Sequence, residues 1–408
     1  MSSHSFFSVS LVFAFFLASC QAPAPAATAL PAETTQPPAA TAPPATATEM
    51  PASALPASAD PSRTPTWVWV EPTQPATPTP LPAFQPRAQS ANTLRAQADI
   101  RGILIGAAVN NGLVHEADYA EVLAREFNLI TTENAMKFGI VHPEPGRYDF
   151  QAADEIVNFA HGHDIQVRGH TLVWQKQMPE WLQYGDWTPE QVREILHRHI
   201  ETVVGRYRGK VEIWDVVNEA MTGNGDVQRN FWYKQLGPEY IDLAFQWAHE
   251  ADPDALLFIN DYAAEGINKK SDGLYELVED MLARGLPVHG VGMQFHLDSG
   301  GAQNLDSVTR NMQRLADLGL QIHITELDVA LNDDPTPEDL QEQADTYQKI
   351  LQTCLALPQC TAFITWGFTD KYSWIPETKD GYGSALLFDA TYQPKPAYFA
   401  LLETLQTK

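Results

Sequence analysis

From about residue 92 to the end, the sequence predicts an α/β fold closed into a (β/α)8 barrel. Three observations carry the prediction: eight short runs rich in Val, Ile and Leu, amphipathic segments between them, and helix-start signals at two of those segments. In chain order the strands are expected at 103–109, 129–133, 166–173, 211–218, 256–261, 290–296, 322–328 and 362–368. Helical patterns run over 191–207, 274–284, 307–318 and 339–355, where apolar residues recur every three or four positions and so line one face. Thr188-Pro189-Glu190 and Thr336-Pro337-Glu338 each supply a capping hydroxyl, a first-turn proline and an acid at the positive end of a helix. An open doubly wound sheet is the alternative, but the first strand-to-helix turn, Gly106-Ala107-Ala108-Val109-Asn110, lacks the GxGxxG pattern of phosphate-binding sheets. In a closed barrel the reactive groups belong at the carboxyl ends of the strands.

Ahead of the barrel the composition changes. Seventeen of the 30 prolines lie between Pro23 and Pro86 among Ala, Thr and Ser, so residues 21–91 read as a disordered tether that cannot bury enough apolar area to offset its ordering entropy. Trp67 and Trp69 are its main apolar feature and read as a sticky spot in a linker. Residues 1–20 read as a signal peptide: the apolar run from Phe6 to Ala18 is too short for the ~20 residues of a membrane-spanning helix. Its end, Leu17-Ala18-Ser19-Cys20, resembles a bacterial lipobox in which Cys20 becomes lipidated, although residues 1–5 carry no Lys or Arg; an ordinary secretory signal cut nearby is the alternative. Either way the chain is expected outside the cytoplasm, secreted or held to a membrane at the cell surface by an N-terminal lipid. With Cys20 lipidated, Cys354 and Cys360 remain as an even pair, expected as a disulfide pinning a short helix-to-strand loop, with two free buried thiols as the alternative.

Charge narrows the ligand. Against 26 Lys and Arg stand 51 Asp and Glu, a net −25, which argues against nucleic acid and other polyanions and favours a neutral ligand. Apolar residues at 44% suffice for the large core a barrel requires.

The informative residues end strands. The fourth strand finishes Trp214-Asp215-Val216-Val217-Asn218-Glu219, and the seventh finishes Ile324-Thr325-Glu326-Leu327-Asp328. Strands four and seven lie across a barrel mouth from each other, so both glutamates can flank one bond of a substrate. Two such carboxyls are the minimum equipment for glycoside hydrolysis: one protonates the leaving oxygen while the other attacks the anomeric carbon or activates water.

Eight segments, in order and at the predicted strand ends, then carry a family resemblance: TENAMK (132–137), HPEPGRYDF (142–150), RGHTLVW (168–174), WDVVNEA (214–220), FINDY (258–262), GVGMQFH (290–296), ITELD (324–328) and TWGFTDKYSW (365–374). The region 92–408 resembles the glycoside hydrolase family 10 endo-β-1,4-xylanases. The resemblance implies a catalytic domain over 92–408 that cuts internal bonds of xylan with retention, Glu219 serving as acid/base and Glu326 as nucleophile. It implies that His296 bonds Glu326, that Asp328 orients the imidazole, and that Asn218 holds the 2-hydroxyl of the reacting sugar. Asp328, two residues beyond Glu326, shares its strand face. Glu133, Asn134, Lys137, His170, Trp174, Gln177 and Gln294 are implied to line the glycone side, with Trp366 and Trp374 closing over the reacting sugar and crowding out a C5 hydroxymethyl. One stretch departs from the family pattern: tryptophan, histidine, serine, glutamine reads here as Trp174, Gln175, Lys176, Gln177, and Gln175 and Lys176 are expected to alter the −2 or −3 side of the cleft.

The chemistry needs no cofactor. His161, His163 and Asp164 sit at the end of a helical pattern, and His197 and His199 are i,i+2 partners on a helix, facing apart, so no metal site is expected. Trp181, Trp187, Trp232 and Trp247 are read as core or surface. The expected partners are xylan and xylo-oligosaccharides, and a monomer is expected. Two other functions compete: a barrel β-glucanase or mannanase, and a non-catalytic sugar-binding lipoprotein, which would have no use for two glutamates with Asn218, His296 and Asp328 around them.

Overall fold

The computed structural model describes residues 92–298 and 304–407. Residues 1–20, expected as a signal peptide with Cys20, and 21–91, expected as a tether with Trp67 and Trp69, lie outside the described residues. The barrel strands are β1 (Leu104–Val109), β2 (Leu129–Thr132), β3 (Gln166–Val173), β4 (Ile213–Asn218), β5 (Leu256–Asp261) and β6 (Gly290–Met293). A short β7 (His296–Asp298) follows, then β8 (Gln321–Asn332), β9 (Cys360–Thr365) and a two-residue β10 (Tyr382–Gly383). Parallel pairing runs β9-β1-β2-β3-β4-β5-β6-β8, and β8 pairs with β9 to close the ring. The eight expected strands thus form one closed parallel barrel.

The helices of eight residues or more among the described residues are α1 (Leu94–Arg101), α2 (Ala117–Glu126), α3 (Gln151–Gly162), α4 (Pro189–Arg206), α5 (Tyr240–Ala251), α6 (Lys269–Ala283), α7 (Leu305–Asp317), α8 (Pro337–Leu355) and α9 (Pro396–Gln406). From α2 onward, one follows each barrel strand. The two sequence-marked starts are full capping boxes, Thr188 with Gln191 and Thr336 with Asp339. The segment α1 had no sequence expectation; Thr93 caps its start, Gly102 at φ +70° ends it, and Arg101 Nε reaches the Leu405 carbonyl of α9 at 2.8 Å. At the end of α8, Cys354 and Cys360 form the expected disulfide.

Most strand bounds differ from expectation by one to three residues, and two strands change more. The run 290–296 breaks because Phe295 turns left-handed at φ +60°, so His296 starts the separate β7, paired with the far end of β8. Strand β8 continues past Asp328 to Asn332, where β10 pairs with it antiparallel.

Inside the barrel the side chains change character with height. Leu129, Ile213, Phe258, Ala362 and Ile364 form an apolar plug toward the amino-terminal end. On it rests a polar layer: the Arg168 guanidinium lies 4.8 Å from the Phe258 ring centre, and the His323 ring stacks on Phe258 at 4.2 Å. Arg168 Nη1 donates to His323 Nδ1 at 2.8 Å, and its Nε donates to Asp215 Oδ2 at 3.0 Å. Burial pushes the Asp215 carboxyl up, but Arg168 and His170 outweigh it and hold it below its ordinary range. Gly292 makes room for this layer, since a Cβ there would sit 2.2 Å from Asn260 Oδ1 and 3.1 Å from Arg168. Trp214, fully buried, is accommodated by Gly169 in the same way, with a Cβ meeting its ring at 2.3 Å.

Candidate active site

The polar layer carries the site at the carboxyl ends of the strands. Glu326 on β8 is 4% exposed and anchored at both oxygens: Asn260 Nδ2 donates to Oε1 at 2.6 Å, and His296 Nε2 lies 3.2 Å from Oε2. His296 Nδ1 lies 3.0 Å from Asp328 Oδ2, which also accepts Trp374 Nε1 at 2.8 Å. Burial works against a charge on His296, but Asp328 and Glu326 on either side push it up to about 10, so at neutral pH both ring nitrogens donate. Burial also raises Glu326, yet the His296 hydrogen bond and the charges of His170 and His296 leave it below its ordinary value. This is the environment of a carboxylate kept ionised, which a nucleophile requires.

Glu219 follows β4 and is held differently. Its backbone is left-handed at φ +55°, a conformation that costs a non-glycine residue roughly 1 kcal/mol or more, and its N–H donates to the Asn260 carbonyl at 2.8 Å. The side chain is 9% exposed and meets Lys176, whose Nζ is 3.0 Å from Oε2. Gln175 Nε2 approaches the Glu219 carbonyl at 3.5 Å. Lys176 and Gln175, expected to alter the −2 or −3 side of the cleft, stand beside Glu219.

Asn260 bridges the two halves. Besides Glu326, its Nδ2 donates to Asn218 Oδ1 at 2.8 Å, while its Oδ1 accepts from Thr325 Oγ1 at 2.7 Å. Gln294 Nε2 also donates to Asn218 Oδ1, at 3.3 Å, which leaves the Asn218 amide nitrogen as its donor toward a ligand. Sequence reasoning quoted FINDY but did not single out Asn260. The signal was present: Asn260 is a buried polar residue ending an apolar strand, in register with Asn218.

The other expected residues gather at the same mouth. Lys137 Nζ donates to Asn134 Oδ1 at 2.8 Å, and Asn134 Nδ2 to Glu133 Oε1 at 3.0 Å. Burial raises the Glu133 carboxyl and lowers the Lys137 ammonium, while Glu326, Glu133 and Glu219 all act on Lys137 through space. His170 turns Nδ1 to Asp215 at 3.0 Å, keeping Nε2 for another partner, and its ring meets Trp366 edge-on at 5.2 Å. Trp374 meets His296 edge-on at 5.0 Å. Trp174 has Lys137 Nζ 4.9 Å and Lys176 Nζ 5.2 Å from its ring centre, and its carbonyl accepts from the buried Trp232 indole. Gln177 is exposed, left-handed at φ +52°, with its carbonyl accepting the Gly139 N–H.

The histidine pairs are used elsewhere. His161 and His163 bond backbone carbonyls of Lys210 and Phe159, His197 packs on Trp247, and His199 stacks on Phe138 in the core. Trp181 and Trp187 pack edge-on against each other at 5.9 Å.

A polar cleft with one locked carboxylate and a second glutamate across the mouth suits hydrolysis of an acetal bond between neutral sugars. Comparison with known proteins agrees. Residues 93–404 match the model of glycosyl hydrolase family 10. The chain is 46% identical over 319 residues to endo-1,4-beta-xylanase B of Thermotoga neapolitana, covering 77% of this chain and 92% of that one. Its fold is similar to that of native xylanase 10B from Thermotoga maritima, with a TM-score of 0.75 and 47% identity over 77% of this chain and 98% of the other. It is equally similar to xylanase 10B from Thermotoga petrophila RKU-1 in complex with xylobiose, at a TM-score of 0.75 and 46% identity over 77% of this chain and 97% of that one. The chain belongs to glycosyl hydrolase family 10.

Proposed function

We propose that this chain is an endo-1,4-β-xylanase that hydrolyses internal β-1,4-xylosidic bonds by double displacement with net retention. The observation that carries the reading is Glu326, buried, ionised and fixed by Asn260 and His296, on the strand across the mouth from Glu219. In the first step a Glu326 oxygen bonds the anomeric carbon while the glycosidic C–O bond breaks, and Glu219 gives its proton to the departing oxygen. In the second, Glu219 as carboxylate takes a proton from water, whose oxygen attacks the same carbon and displaces Glu326. Asn218 holds the 2-hydroxyl, a contact that strengthens as the oxocarbenium-like transition state forms. Glu133, Asn134, Lys137, His170, Trp174, Gln177 and Gln294 bind glycone sugars. Trp366 and Trp374 present flat faces to the reacting xylose and fill the space a hydroxymethyl needs. The test is NMR of the first-formed product from xylohexaose: a β-anomer is expected, with carboxyl groups about 5–5.5 Å apart, and an α-anomer overturns the mechanism.

The reading extends to location. The apolar run ending in Cys20 supports export and lipid attachment, and the Cys354–Cys360 bridge suits an oxidising compartment. We take the working form to be a monomer, tethered by residues 21–91 and free to sweep insoluble xylan. Mass spectrometry of the mature N-terminus tests this: a diacylated or triacylated Cys20 is expected, and an unmodified N-terminus elsewhere refutes the anchor.

A further inference from the structure

We propose that Asp261, braced by Lys270, is a positioning residue for Glu219: it clamps the chain two residues beyond the glutamate and so fixes where the carboxyl stands relative to the bond being cut. The proposal rests on Glu219 being the acid/base. It goes beyond that reading because it gives a role in the reaction to a buried ion pair on the opposite face of β5 from Asn260.

Successive residues of β5 make the clamp. The Asn260 carbonyl accepts the Glu219 N–H at 2.8 Å, and Asp261 Oδ2 accepts the Met221 N–H at 2.9 Å. The first bond is main chain to main chain, whereas the second depends on the Asp261 side chain. Between the two holds lies the left-handed turn at Glu219, so the direction of its side chain is set by where both ends of 219–221 are pinned. Asp261 Oδ1 is occupied in turn: the Tyr262 N–H donates to it at 2.9 Å, and the Lys270 ammonium lies 2.7 Å away. Asp261 and Lys270 are both buried, and the Tyr262 ring centre lies 3.3 Å from Lys270 Nζ, so neither charge can turn away toward water.

The chain beyond Met221 is seated on the same helix. Lys270 lies in the first turn of α6, and the loop after Met221 comes back over that turn. Gly225, at φ +89°, approaches so closely that a Cβ on it would sit 2.4 Å from the Lys269 carbonyl oxygen, and a Cβ on Gly273 would sit 2.0 Å from the Gly225 carbonyl oxygen. Gln228 then bonds back to the segment, its N–H donating to the Ala220 carbonyl at 2.7 Å and its Nε2 to the Met221 carbonyl at 3.2 Å. The chain that follows Glu219 is therefore packed main chain against main chain on α6, with the Asp261–Lys270 pair beneath its first residues. Such a seat matters because an acid must stand within hydrogen-bond reach of the oxygen it protonates, and a misplacement of about 1 Å can cost on the order of 10^2-fold in rate.

The experiment compares Asp261→Asn with the parent chain on xylohexaose, whose departing sugar needs a proton, and on dinitrophenyl xylobioside, whose leaving group departs without one. Asparagine keeps the shape of the side chain but has one acceptor oxygen where the carboxylate has two, so the clamp on Met221 and the brace to Lys270 cannot both persist. On xylohexaose kcat/KM should fall by about 10- to 100-fold. On the aryl substrate kcat/KM, which reports bond cleavage alone, should stay within about twofold, while kcat and KM fall together because water waits on a misplaced base and the glycosyl-enzyme accumulates. A general loss of folded enzyme would instead lower both substrates alike. Where Asp261→Asn does not fold, Asp261→Leu combined with Lys270→Met replaces the pair by apolar groups, an exchange often neutral for stability, and is read on the same two substrates by the same criteria. Equal losses on both substrates, or no loss on either, overturn the proposal. Glu219→Ala run alongside separates the two levels. If it spares kcat/KM on the aryl substrate and Asp261→Asn does not, only the role of Asp261 falls; if Glu219→Ala itself loses both alike, the acid/base reading falls and takes this proposal with it.

Discussion

The two glutamates face one barrel mouth, Glu219 just after β4 and Glu326 within β8, yet their surroundings are built on opposite plans. Around Glu326 every neighbour is itself held: Asn260 by Thr325, His296 by Asp328, Asp328 by the Trp374 indole. Around Glu219 the backbone is fixed by Asn260, but among the described residues the carboxyl's ion-pair partner is a solvent-reaching lysine. The difference follows from the chemistry. A nucleophile performs with one protonation state and one position, whereas an acid/base must change state twice in each turnover, so rigidity on one side and accommodation on the other are both functional.

The largest expected effect comes from the rigid side. Glu326→Ala should bring hydrolysis of xylan and of aryl xylobiosides alike to background, because no bond to the anomeric carbon can form; measurable turnover on either, by reducing-sugar release or aryl absorbance, would break the comparison. Glu219→Ala should cost about 10^2- to 10^4-fold on xylan and much less in the first step on aryl substrates with good leaving groups, as a stopped-flow burst would show. Azide, needing no general base, should restore turnover. Equal losses on both substrates would mean that the two glutamates do not have distinct roles.

Next comes the support of Glu326. Asp328→Asn removes the charge that helps raise His296 to about 10, and should lower kcat by about 10- to 100-fold, the scale of a hydrogen bond to a charged group. It should also change how stability depends on pH. The raised His296 contributes stability that is full below pH 6.5 and is lost as pH rises through about 10. Thermal melts of the parent should therefore decline across that window, and the decline should be shallower in Asp328→Asn. Trp374→Phe, which deletes one donor to Asp328 and keeps the ring, should have the smallest effect, about 2- to 10-fold in kcat. Should it match Asp328→Asn, the indole and not the histidine would be the principal support.

Much of this was legible in the sequence. Strand positions followed from short β-branched runs, and the pairing of His296 with Glu326 and Asp328 followed from a two-residue strand period together with the family resemblance. What stayed hidden was set by geometry that no local pattern encodes. Phe295 turns left-handed within an apolar run, and that single dihedral ends β6 and re-aims His296. Asn260 becomes the bridge only because β5 holds it in register with Asn218 within reach of β8. Lys176 could not be placed because a long side chain on a loop reaches wherever the turn directs it, and Gln177 at φ +52° closes that turn.

The left-handed backbone at Glu219 ties heat resistance to activity at a single residue. Glycine there would ease the main chain while deleting the proton donor. Selection for survival on heating alone would reward that exchange, so a search for hardier variants must screen turnover at every round or it will collect inert proteins at this position.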